Sequence, residues 1–240
     1  WAELEKDDVT LREACGNTVR NVTASETAGI DMDEPFDVSP YADAVFRFFL
    51  RNAFCQEMGR KFKVSFSASD ADTGLSYMHD LGFIAKIENE IRGFKVLIAG
   101  GLGSQPRHAD VLYEFLPSDK IIPTMEGILR VFDRYGERKS RGKARLKFLI
   151  NDIGLEDFKD LVAAEQNAIE FISVEIDVEN YEITKPAQIS QIPEVTISDK
   201  KQFEIWKSTN VIPQKQKEFV AIGVKVLLGN AAQHVRSLIA

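Results

Sequence analysis

Cysteine is scarce: the 240 residues hold two, Cys15 and Cys55. Two thiols cannot supply the four thiolates of an iron–sulfur cluster or of an all-cysteine zinc site, and they fit a reduced, cytoplasmic chain. Histidine is nearly as rare, at three residues, and His79 has no His or Cys companion at metal-ligand spacing, so it reads as structural. No apolar run approaches the length that spans a bilayer and no signal peptide is visible, so no membrane is expected as a partner. Positive charge is in deficit, with 30 Lys and Arg against 37 Asp and Glu and a net charge of −7. That balance counts against a general nucleic-acid binder. What is present, 44% hydrophobic and 28% charged, is ordinary for a globular chain of one or two domains.

Against this acidic background the basic residues are clustered. Arg60-Lys61-Phe62-Lys63 is one cluster, and the run from Arg138 to Lys147 is another. Between them lies Gly93 to Ala109, in which an apolar run, Phe94 to Ala99, enters Gly100-Gly101-Leu102-Gly103. Glycines at the end of a buried strand let backbone N–H groups approach a ligand, often an anion, although such a run is more often a plain tight turn. The expectation is that these separated sets meet around one large polyanionic ligand.

Several elements follow from periodicity. Arg60 to Phe66 alternates as a strand, with Phe62, Val64 and Phe66 on one face and Lys61, Lys63 and Ser65 on the other. Two lysines on one face ordinarily mark a solvated surface; adjacency to Arg60 favours a bound anion that offsets the repulsion. His79 to Ile87 and Gly93 to Ala99 read as a hairpin turning at Asn89-Glu90. Thr10 and Glu13 fit a capping box, and Pro40 opens a helix carrying Val45, Phe48 and Phe49. His108 to Leu116 reads as a helix ending before Pro117. Helices are expected over Pro123–Tyr135, over the second half of Arg138–Ile150, and from Gly154 to about Gln166. Arg138, Arg141 and Arg145, at steps of three and four, share a face if their helix starts early. Ser173 to Pro193 is acidic and proline-punctuated, and reads as a linker. Beyond it Trp206, a strand from Phe219 to Leu228 and a helix over Ala231–Ala240 read as the start of a second domain. A first residue of Trp and a still-apolar end at Leu238-Ile239-Ala240 suggest a piece of a longer protein.

Particular stretches resemble the siroheme-dependent nitrite and sulfite reductases. They are Cys15 to Thr23; Phe36-Asp37-Val38 with Pro40-Tyr41-Ala42; Arg60 to Lys63; His79 to Ala85; Gly93 to Ala109; Arg141 with Lys143 to Phe148; and Trp206, Asn210-Val211 and Gln214-Lys215-Gln216. The chain departs from the family at Met58-Gly59 and Ser25-Glu26. The resemblance implies an α+β fold: a mixed-sheet α/β domain of the nitrite/sulfite reductase type over 1–172, a linker over 173–197, and an incomplete ferredoxin-like α+β half-domain over 198–240. It implies siroheme and a [4Fe–4S] cluster in the full-length enzyme, with neither expected on this piece. It implies six-electron reduction of nitrite to ammonia or sulfite to sulfide, a ferredoxin or flavoprotein electron donor (NAD(P)H-linked in the latter case), a role in nitrogen or sulfur assimilation, and an isolated piece that is inactive.

The resemblance also assigns roles. Arg20, Lys61 and Lys63 match positions lining the substrate pocket, and Arg60, Arg138, Arg141 and Arg145 match positions meeting the siroheme carboxylates. Gly100, Gly101 and Gly103 match the glycine turn and are expected at the cofactor. The residue types suit the chemistry. Siroheme carries eight carboxylates, which arginine binds bidentately, and lysines over a small anion attract it and can pass protons to departing oxygens. The competing reading is an anion- or nucleic-acid-binding module built on the basic 138–147 segment.

Overall fold

The computed structural model describes residues 2–8, 16–50, 52–168, 174, 176–178 and 196–224. The chain divides into two compact units, Trp1–Ile183 and Thr184–Ala240. The first is built on a five-stranded sheet of β1 (Val19–Ala24), β2 (Phe62–Ser67), β3 (Leu81–Glu88), β4 (Ile91–Ile98) and β5 (Asp110–Pro117), in that spatial order. β1, β2 and β3 run parallel, whereas β3, β4 and β5 are antiparallel, so the sheet is mixed.

The alternation read from the sequence governs the core. Phe62, Val64 and Phe66 of β2, Leu81, Phe83 and Ala85 of β3, and Phe94, Val96 and Ile98 of β4 all enter one hydrophobic cluster. Helices cover this face: α2 (Ser39–Phe49), α3 (Ile121–Tyr135), α4 (Leu146–Ile153) and α5 (Leu155–Ala168). Val45 and Phe49 of α2, and Ile128, Leu129 and Phe132 of α3, are buried at helical spacing. Gly136 ends α3 as expected, its N–H donating to the Phe132 carbonyl at 2.9 Å. The short α1 (Ala2–Glu5) precedes the sheet. The capping-box helix expected from Thr10 lies outside the described residues.

On the opposite face Ile84, Leu97 and Ala109 form a smaller cluster, and the rest of that face is polar. Ser65 and Ser67 are fully buried there yet satisfied, Ser65 Oγ donating to the Gly74 carbonyl at 2.5 Å and Ser67 Oγ to Asp72 at 2.5 Å.

Three expectations need correction. His108 to Leu116 is not helical: Asp110–Pro117 is β5, paired antiparallel with β4. Its Val111, Tyr113 and Phe115 suit a pleated surface, and the exposed edge of β4 supplies hydrogen-bond partners that an isolated reading lacks. Pro117 sits at the strand's end on the sheet edge, where a missing N–H is tolerated. Periodicity predicts no element at Arg20 to Thr23, yet these residues lie within β1. Finally, α4 starts only at Leu146 and a separate 3-10 turn spans Arg141–Lys143, so Arg138, Arg141 and Arg145 share no helical face.

In the second unit α6 (Lys200–Asn210) is capped by Asp199, whose carboxylate accepts the Gln202 N–H at 3.0 Å. It leads into a hairpin of β6 (Val211–Pro213) and β7 (Val220–Ile222). Phe203 and Trp206 stack with centroids 5.9 Å apart. The expected strand to Leu228 is seen through Ile222. Gly223 and Val224 lie past the strand's end, and residues 225–228, the helix over 231–240 and most of the 173–197 linker lie outside the described residues. No described helix is long and apolar enough to cross a membrane.

Candidate anion-binding cleft

Sheet topology brings the basic sets to one end of the first unit. The parallel strands β1, β2 and β3 start there, so Arg20, Lys61, Lys63 and Asp80 lie at or beside their first residues. β4, being antiparallel to β3, finishes at the same end and delivers the glycine turn. The start of α4 brings Arg145 and Lys147. A cleft of about 580 Å³ opens among them, lined by Arg60, Lys61, Lys63, Arg141, Arg145 and Lys147 together with His79. Among the described residues, no Asp or Glu lines it. Leu75, Met78, Leu102 and Phe148 form an apolar rim.

Arg20 reaches this group through a local irregularity. Val19 pairs with Phe62 and Asn21 with Lys63, so β1 carries one residue more than β2 at this point, and Arg20 is that residue. A bulge re-aims the side chain it carries. The guanidinium lies close enough to Arg60 and Lys61 to lower the proton affinity of both.

The cations press on one another. Burial, then Arg145, Arg20, Lys63 and Arg60, hold the Lys61 ammonium below its ordinary 10.5. Burial, then Arg141, Arg145 and Arg20, lower Arg60 in the same way, and its Nε is buried with no hydrogen-bond partner among the described residues. Lys147 is lowered first by burial and then by Arg145 and Arg107, with Asp80 opposing. Like charges crowded to this degree form a ready seat for an anion, which relieves the repulsion and supplies the missing acceptor. Sulfate affinity should therefore fall as pH rises, and the fall should begin below 10.5, where Lys61 loses its proton early. Calorimetric titrations between about pH 7 and pH 10 check this, with Lys61→Ala expected to shrink that early loss to the part Lys147 contributes.

The glycine turn plays a different part from the one expected. A Cβ on Gly100 would stand 2.4 Å from the Tyr77 carbonyl oxygen and 2.7 Å from that of His79, so Gly100 serves close backbone packing. Gly101 and Arg107 exchange N–H···O bonds of 2.9 Å each way, so the Gly101 N–H is spent inside the turn. Gly103, at φ +112°, is the one of the three that lines the cleft. Lys147 braces the loop from below, its Nζ donating to the carbonyls of Leu102 (3.3 Å) and Gln105.

Arg138 is not brought to the cleft. Its guanidinium donates to the carboxylate and carbonyl of Asp133. With Arg138 turned aside and Lys147 only 4% exposed, the 138–147 run presents no continuous basic stripe. Asp80, Arg107 and Lys147 were not singled out as site residues. Asp80 is fully buried and takes three hydrogen bonds from Arg145, at 2.7 to 2.9 Å. Burial raises the Asp80 carboxyl, while Arg145 and the Lys63 N–H pull it down.

Comparison with known proteins identifies the family of the first unit. The family model described as "Nitrite and sulphite reductase 4Fe-4S domain" matches residues 15–169, and the chain belongs to this family. "Sulfite reductase [ferredoxin] 1" of Mycolicibacterium paratuberculosis is 32% identical over 166 residues, covering 69% of this chain and 30% of that protein. "Assimilatory ferredoxin-dependent nitrite reductase" of Haloferax mediterranei is 30% identical over 184 residues, covering 74% of this chain and 31% of that protein. The solved Mycobacterium tuberculosis NirA protein superposes with a TM-score of 0.60 at 28% identity, covering 72% of this chain and 32% of NirA. The chain thus spans about a third of the length of these relatives.

Proposed function

We propose that the chain supplies the cationic wall of the siroheme and substrate pocket in an assimilatory nitrite or sulfite reductase. The observation that carries this reading is the cleft: six cationic side chains line it without one carboxylate, in a chain whose net charge is −7. On this reading Arg60, Arg141 and Arg145 meet the macrocycle's carboxylates, with Gly103 at its edge, and the apolar rim of Leu75, Met78, Leu102 and Phe148 receives its ring surface. The orphaned Arg60 Nε and a described lining without Asp or Glu fit such a group. Arg20, Lys61 and Lys63 draw in nitrite or sulfite, and Lys61, with its lowered proton affinity, delivers protons to departing oxygens. When bound, siroheme with its iron–sulfur partner supplies the electrons of the six-electron reduction. The cluster does not fit this chain: two cysteines cannot hold it, so its thiolates come from elsewhere in the full-length enzyme. Residues 1–172 then act as the first large domain, and residues 198–240 begin a ferredoxin-like half-domain. The electron donor is a ferredoxin, which the names of several relatives include, or an NADPH-linked flavoprotein, NADPH being part of the names of others.

The isolated chain is expected to purify without a Soret band and without iron. It is expected to bind added uroporphyrin, a metal-free octacarboxylate porphyrin, with an affinity that salt weakens. Fluorescence titration checks this. Tighter binding of single-stranded DNA than of uroporphyrin would support the nucleic-acid module instead.

A further inference from the structure

Asp80 stands out because its buried carboxylate is set against Arg145 of the cationic cluster, and nothing in the anion chemistry calls for it. Its side chain is 1% exposed. Arg145 Nε donates to Oδ1 at 2.9 Å, and Arg145 Nη2 donates to Oδ1 and Oδ2 at 2.7 Å each. The backbone N–H of Lys63 donates to Oδ2 at 3.0 Å. The Asp80 carbonyl accepts the Ala99 N–H at 2.8 Å, at the entrance to the glycine turn. Ala99 itself has φ +65°, and its carbonyl accepts Arg107 Nη1 at 3.1 Å. One residue therefore ties together the start of β2 and the start of α4, which carry cations of the cleft, and the end of β4, which leads into the turn that lines it.

We propose that Asp80 is the positioning residue of the cleft: it aims the Arg145 guanidinium and fixes the backbone under Lys63, so that the cations meet an anionic ligand as an ordered set. This rests on the reading of the cleft as an anion seat and adds the residue that orders it. A carboxylate so near the cations weakens their attraction for an anion in purely Coulombic terms, so removing it should tighten binding. Positioning predicts the opposite sign. In Asp80→Asn the side chain keeps its shape, but an amide N–H₂ faces a guanidinium that only donates, and the fork is lost.

The test is uroporphyrin binding by the full 240-residue chain, followed by fluorescence, with thermal melts to confirm folding. Asp80→Asn is expected to raise Kd about tenfold although the cleft gains a unit of positive charge. Arg145→Lys, which keeps the charge count and leaves Asp80 paired, is expected to raise it similarly, because an ammonium cannot reproduce the fork. The double variant is expected to be no weaker than the weaker single one, since both remove the same contact. If Asp80→Asn does not fold, Asp80→Glu decides the matter, because it keeps the charge and moves the carboxylate by one methylene: weaker binding by a folded Asp80→Glu supports positioning, and unchanged binding overturns it. Unchanged or tighter binding by a folded Asp80→Asn, or unchanged binding by Arg145→Lys, overturns the positioning role and leaves the anion seat standing. Failure of the unaltered chain to bind uroporphyrin overturns the anion seat and, with it, the role of Asp80.

Discussion

Lys61→Ala or Lys63→Ala in the full-length reductase should lower turnover of nitrite or sulfite by about two to three powers of ten while siroheme stays bound. On the proposed reading each lysine is a positioned cation beside a developing negative charge, and loss of one such donor removes roughly 2 to 4 kcal/mol of transition-state stabilisation. The two variants should differ in their pH dependence. The Lys61 ammonium is held low by burial and by four neighbouring cations, so it gives up a proton more readily than an ordinary lysine, and Lys61→Ala should remove an ionisation from the pH–rate profile. Neither Lys61 nor Lys63 makes an ion pair among the described residues, so neither substitution strands a buried partner charge. Steady-state kinetics with a Soret measurement of siroheme content separate this from cofactor loss. Full turnover in both variants would place the substrate elsewhere.

How much of this was legible differs from residue to residue. Lys61 and Lys63 were readable because β2 alternates strictly, and a lysine at every second position must share a face. The β3–β4 hairpin was readable because Asn89 and Glu90 occupy positive φ at its tip, at +50° and +66°. Arg20 entered through family resemblance alone: its direction depends on a bulge that exists only once β1 pairs with β2. Asp80 carried no local signal. It becomes significant only when β3, pairing beside β2, sets it under Lys63, and α4 sets Arg145 against it. A hint was nonetheless present, since a crowded basic site with no counter-ion nearby in sequence must find one in space. The shared face expected of Arg138, Arg141 and Arg145 fails because their spacing is helical only if the helix starts early, and the chain instead makes a 3-10 turn before α4. For β5 the sequence suits a helix as well as a strand, and the unpaired edge of β4 decides between them.

The glycine turn depends on the rigidity of the strand that delivers it, which leads to the largest stability effect expected in this chain. Phe94 is fully buried near the start of the apolar run that ends in the turn. Four rings surround it nearly edge-on, Phe36, Tyr41, Phe66 and Phe83, with centroids 5.5, 5.2, 5.6 and 5.7 Å away. These rings come from the loop before α2, from α2 itself, from β2 and from β3, so Phe94 joins the helical layer to three adjacent strands. Phe94→Ala removes that joint and leaves a cavity whose walls sit on separate elements and cannot all move inward together. A loss of about 3 to 5 kcal/mol is expected, a large part of the roughly 5 to 15 kcal/mol that holds an ordinary domain folded. Urea unfolding should show a lower midpoint at an unchanged slope, and Phe94→Leu should lose much less because most of the volume is kept. Anion binding by the fraction still folded should be unchanged, because the ring lies within the core and is not among the residues lining the cleft. A loss below about 1 kcal/mol for Phe94→Ala would mean that the aromatic cluster closes over the gap, and that the strand carrying the turn is held by its hydrogen bonds rather than by this ring.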